Sequence, residues 1–185
     1  MFVQKNKGSE SGNVLSAIPT VALIESNPGC PMKFVLAKVV HGNEERLVIK
    51  GSNHVVGTPT HKLLKEELDY VIKRDLKIEP KVEILGGGWI LIESDAKNIW
   101  LWGGSVYYGA PDYKVVKTIL EERYADYRIL IVSDLLPKYP QLKQLFSIIE
   151  KQSTAGIYPA ARMAQIRRVL AKEPKSEAPE RGPND

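Results

Sequence analysis

Cysteine is all but missing from this chain. Cys30 stands alone among 185 residues, so no intramolecular disulfide can form and a reducing compartment is expected. It lies in the turn-like run Asn27-Pro28-Gly29-Cys30-Pro31, with no neighbour to lower its pKa, and is not read as a nucleophile. Long apolar runs are missing too. None approaches the ~20 residues of a membrane span, and no signal-peptide stretch follows the polar start. The start carries Lys5 and Lys7 without arginine and is interrupted by Glu10. A cytoplasmic location is therefore expected, with the mitochondrial matrix as the alternative. Histidine is scarce: His41, His54 and His61 form no pair at ligand spacing with a cysteine, so neither a metal nor a cofactor is expected. There is no GxxxxGK[ST] phosphate loop and no GxSxG elbow. A strong excess of one charge is absent as well. The formal charge is +4 and the pI about 9.0, which permits an anionic ligand without requiring nucleic acid. From Lys138 onward nine Lys/Arg are interleaved with five Asp/Glu, and no nucleic-acid module is visible, so nucleic-acid binding is not expected.

What is present reads as a globular α/β chain, with 43% apolar and 26% charged residues. Val21–Glu25 is a short strand. Lys33–Val40 and Arg46–Lys50, joined at Gly42-Asn43, form a hairpin. Thr60 is placed to cap a helix whose stripe is Leu63, Leu64, Leu68, Val71 and Ile72, ending near Arg74. Three strands follow: Val82–Leu85, Trp89–Glu93 across a triple glycine, and Ile99–Trp102. A helix over about 112–124 leads to a last core strand, Tyr127–Ser133, whose unbroken apolar centre predicts burial on both faces. Leu142, Leu145, Phe146 and Ile149 mark an amphipathic helix, and Met163, Ile166 and Leu170 a shorter one with arginines on its polar sides. These two helices can dock on the chain's own sheet or on a partner. The ends are polar and are expected to be flexible.

Two features carry chemistry. Ser105–Gly109, flanked by glycines, can turn successive N–H groups toward one point as an anion nest, with a helix start close behind. His61 stands in the first turn of its helix, where the positive helix end favours the neutral imidazole a general base requires. His54 in a loop and His41 at a hairpin turn are weaker candidates. The triple glycine Gly86–Gly88 lacks the later glycine of a dinucleotide loop and is read as a bulge or a close backbone approach.

Taken in order, several motifs resemble the Janus/Ocnus family, whose known members include phosphohistidine phosphatases. Ile84-Leu-Gly-Gly-Gly88 is the closest match. Ser105-Val-Tyr-Tyr-Gly109 resembles the family's Ser-x-Ala-Tyr-Gly, and Tyr124-Ala-Asp-Tyr127 its Tyr-Pro-Asp-Tyr. Lys33-Phe-Val-Leu36 and Val48-Ile-Lys-Gly51 resemble two upstream strands. The resemblance spans about Val21 to Ser133. It implies a mixed sheet with helices packed on it and a shallow phosphate site. It also implies that His61 is the general base, that Ser105, Val106 and Tyr107 hold phosphate through their amides, and that Lys33 and Lys50 supply charge. Lys50 stands where the family has arginine and so loses the bidentate fork. Two departures matter. Trp89 replaces the arginine after the triple glycine, and Tyr107 replaces a small alanine. The first weakens charge stabilisation, the second crowds the anion unless its ring points away, and both leave the backbone donors in place.

The expected organisation is a flexible segment (1–17), a Janus/Ocnus-like domain (18–135), a helical extension (136–173) and a disordered tail (174–185). Two functions compete. One is a metal-independent phosphohistidine phosphatase acting on a protein or peptide. The other is an inactive family member, serving as a structural or binding subunit of a larger assembly, with a mitochondrial one as an option, through its C-terminal helices.

Overall fold

The computed structural model describes residues 14–53 and 60–171. The readings of His54, of the lead-in before residue 14 and of the tail after residue 171 lie outside the described residues.

Six strands form one mixed sheet: β1 (Val21–Glu25), β2 (Met32–His41), β3 (Glu44–Asn53), β4 (Lys81–Glu93), β5 (Asn98–Trp102) and β6 (Arg128–Ile131). Their spatial order is β1-β3-β2-β4-β5-β6. The four central strands are antiparallel, while β1 joins β3 and β6 joins β5 in parallel. Five helices accompany them: α1 (His61–Leu76), α2 (Tyr113–Arg123), the single turn α3 (Val132–Leu135), α4 (Leu142–Thr154) and α5 (Ala160–Ala171).

Side-chain alternation along the strands divides the apolar residues between two faces. On one face Met32, Phe34, Leu36, Ile90, Ile99 and Ile131 pack beneath Val116 and Leu120 of α2. The other face carries two clusters. Ala37, Val39 and Val48 meet Leu68 and Ile72 of α1. Trp89, Leu91, Trp100 and Trp102 meet Leu142, Phe146, Ile149, Met163 and Ile166 of α4 and α5. The amphipathic stripes of the C-terminal helices thus face the chain's own sheet. Among the described residues, no helix is long and apolar enough to cross a membrane.

Four details differ from the sequence reading. The segments before and after the triple glycine are one strand, because glycine lets neighbours approach closely without breaking the ladder. Leu36 pairs with Gly86 and Ala37 with Ile84, leaving Leu85 as the extra residue of a bulge. The last strand ends at Ile131, and Val132 to Leu135 coil into a turn of helix. Val14–Ala17, expected to be flexible, is a 3-10 turn whose Leu15 is buried with Ile18 in the cluster under α1. Finally, α1 runs to Leu76, two residues past Arg74, and closes on Lys77 in the left-handed region.

Candidate functional site

The cleft lies on the sheet face that carries α1 and α4. Register places Lys33 opposite Ser52 on one side and Trp89 on the other, with Trp102 next in the row. Two residues along, Val35 lies between Lys50 and Gly87. Thr60 accepts a bond from the Leu63 amide at 3.1 Å. This cap starts α1 directly above Gly87, so His61 enters the structure at the sheet surface. An opening of about 260 Å³ results, lined by Lys33, Thr60, His61, Trp89, Gly104, Val106, Tyr107 and Glu150.

His61 is buried, at 7% exposure, and its Nε2 lies 3.2 Å from the Gly88 carbonyl oxygen. A carbonyl can only accept, so Nε2 carries the hydrogen and Nδ1 keeps the lone pair. Burial lowers the His61 pKa first, the Gly88 bond opposes this, and nearby Lys33 lowers it further. The ring is therefore held neutral in one tautomer, the state of a general base. A Cβ added at Gly87 would stand 2.6 Å from His61 Cδ2, so the ring occupies the space a side chain there would take.

Lys33 is half-buried, and its Nζ sits 5.2 Å from the centre of the Trp89 ring. Burial lowers its pKa, partly offset by Glu150. Trp89 stacks on Trp102, with centroids 6.3 Å apart and planes 10° from parallel. An aromatic wall thus stands where the resemblance would place an arginine.

The Ser105–Gly109 loop forms a tight knot. Ser105 and Gly109 exchange backbone bonds of 3.0 and 2.9 Å, and the Gly87 amide also donates to the Gly109 carbonyl at 3.0 Å. The buried Ser105 Oγ accepts from the Tyr107 and Tyr108 amides at 3.3 and 3.2 Å. Of the three amides expected to hold phosphate, those of Ser105 and Tyr107 are therefore engaged within the loop, and only Val106 is outside these bonds. The Val106 and Tyr107 side chains are 97% and 81% exposed, so neither fills the cleft.

Lys50 does not join this group. It is buried on β3 and pairs with Glu67 of α1 at 3.4 Å, lining a separate apolar groove with Leu68 and Ile72. Its charge is answered within the fold. His41, the last residue of β2, lies at the far hairpin. Cys30 has a pKa raised by burial, then by Glu25, which keeps it a thiol. Among the described residues there is no cluster of three His, Cys, Asp or Glu side chains able to hold a metal.

Glu150 is the cleft residue that sequence reasoning missed. It comes from α4, half-buried, with a pKa raised by burial and lowered by Trp102 and Lys33. The buried Trp102 indole N–H faces it without reaching full hydrogen-bond geometry. The signal was its spacing: position 150 follows Phe146 by four, at the edge of the buried stripe.

Comparison with known proteins agrees with the motifs. The Janus/Ocnus family (Ocnus) sequence model matches residues 15–128. The sex-regulated protein janus-A of Drosophila simulans is 30% identical over 116 residues, covering 62% of this chain and 82% of that protein. Its counterpart in Drosophila mauritiana matches to the same extent. The matched region holds β1 to β5, α1, α2 and the loop with Val106, and stops before α4. This chain belongs to the Janus/Ocnus family.

Proposed function

We propose that the cleft receives the phosphoryl group of a phosphohistidine side chain, in a protein or peptide, and hydrolyses it with His61 as general base and no step assigned to a metal. The observation that carries this reading is the buried, neutral His61, fixed through Nε2 so that Nδ1 is left basic, in one cleft with Lys33 and Val106. His61 Nδ1 would take a proton from water as the water oxygen attacks phosphorus. The P–N bond breaks, the ring nitrogen departs with a proton from solvent, and inorganic phosphate remains. Lys33 and the Val106 N–H offset charge on the phosphoryl oxygens. With two loop amides engaged elsewhere, that stabilisation is smaller than a full nest would give.

The test is release of phosphate from a phosphohistidine peptide by the full chain and by His61→Ala. The expected result is turnover by the wild type and a loss of at least ~100-fold in the variant. Equal turnover by both would remove His61 from the chemistry.

A second reading is favoured by two specific observations. The Ser105 and Tyr107 amides are engaged inside the loop, and Trp89 occupies the cleft wall. On that reading the chain binds a phosphorylated or anionic partner without turnover, as a subunit of a larger assembly. Phosphate binding at the cleft without hydrolysis by the wild type would support it.

A further inference from the structure

The chemistry proposed for His61 leaves idle the carboxyl that α4 delivers to the cleft, Glu150. The element carrying it lies beyond residues 15–128 of the family match, so the resemblance assigns it nothing. Its position is built. Gly103 has a φ of +77, and a Cβ there would stand 3.1 Å from Glu150 Oε1, so the bare backbone leaves room for the carboxylate. Glu150 also lines an adjoining pocket of about 460 Å³, between Tyr113, Phe146 and Lys143. Glu150 therefore lines both openings.

The charges then nearly cancel. Burial lowers the Lys33 pKa and raises that of Glu150, and each opposes the shift of the other as its counter-charge, while His61 is held neutral and Tyr113 stays protonated because burial pushes its pKa far up. A plain dianion entering this cleft gains Lys33 and meets repulsion from Glu150. A phosphoryl group bonded to a planar ring with an N–H behaves differently. Its anionic end can lie by Lys33 and Val106, its ring beside the edge of the buried Trp89 that lines the cleft, and its N–H can donate to Glu150. Repulsion of one ligand class is as effective in selection as attraction of another.

We infer that Glu150 is a specificity-determining residue, selecting phosphoryl groups carried on an N–H-bearing ring over simple anions; the inference rests on the phosphoryl-binding reading of the cleft. The test compares two probes by calorimetric titration of the full chain: inorganic phosphate, and a peptide bearing a phosphonopyrazole, a stable ring analogue with an N–H. Glu150→Gln keeps the shape and removes the charge, and Glu150→Ala removes the group. Both variants should bind inorganic phosphate about tenfold more tightly. The analogue should gain nothing or weaken, so that the preference for it over phosphate falls at least about tenfold. An unchanged preference in either variant, folding being checked by circular dichroism, would overturn the assignment. The two readings fail separately. A shifted preference in a chain that shows no hydrolysis removes turnover and keeps the role of Glu150. Normal turnover with an unshifted preference does the reverse.

Discussion

His61 reaches the cleft because nothing stands at position 87. Glycine there gives the imidazole a flat floor, and the Gly88 carbonyl one residue on fixes its tautomer. Burial leads the lowering of its pKa, so the deprotonated base persists below the ordinary histidine value of 6.5. If base catalysis by His61 limits the rate, kcat/KM should fall on acidification with a midpoint under pH 6.5. In Gly87→Ala the new methyl would displace the ring toward solvent, so the midpoint should rise and the plateau drop about tenfold or more. A wild-type midpoint above the ordinary value would contradict the buried base. At this scale two local features were legible. Thr60 before His61 announced a cap, and the glycine-flanked Ser105 loop announced a backbone feature. The internal pairing of Ser105 with Gly109 and the ion pair of Lys50 with Glu67 were not legible. The first is set by how the loop folds back on itself and the second by where α1 lies over β3, and residue identity alone carries neither.

The strand β4 and the helix α4 show where element-scale reading holds and where it stops. The helical spacing of Leu142, Leu145, Phe146 and Ile149 predicts one buried stripe, and the structure has it. What the stripe covers is a tertiary matter. It covers three tryptophans, with Phe146 centred 5.6 Å from Trp100 and 4.8 Å from Trp102. Beside them Glu93 accepts from the Trp100 indole at 2.6 Å and pairs with Arg167 of α5 at 3.0 Å. Phe146→Ala should cost about 3–5 kcal/mol in denaturant unfolding, through lost packing and the cavity left behind. It should also disturb Glu150 one turn along. A cost under about 1 kcal/mol would mean that α4 is only loosely docked. The glycine run misled the strand count because three small residues look like a break in a one-dimensional pattern. In the sheet they mark close approaches, His61 over Gly87 and Pro111 against Gly86.

Across the whole molecule, a six-stranded mixed sheet has helices on both faces, and the cleft opens where the family region meets the added helices. The fold class and most elements were readable because apolar periodicity survives in a single sequence. The closure of the second face by α4 and α5, and with it the electrostatics of the cleft, came only from three dimensions. The central claim is that this cleft seats a phosphoryl group beside His61. Its most direct test is an NMR titration of the full, isotope-labelled chain with inorganic phosphate, following backbone amides and imidazole nitrogens. The Val106 amide and His61 Nδ1 should shift together in a saturable way, with the Ser105 and Tyr107 amides moving least. Saturable shifts confined to other surfaces, with Val106 and His61 unmoved, would contradict it.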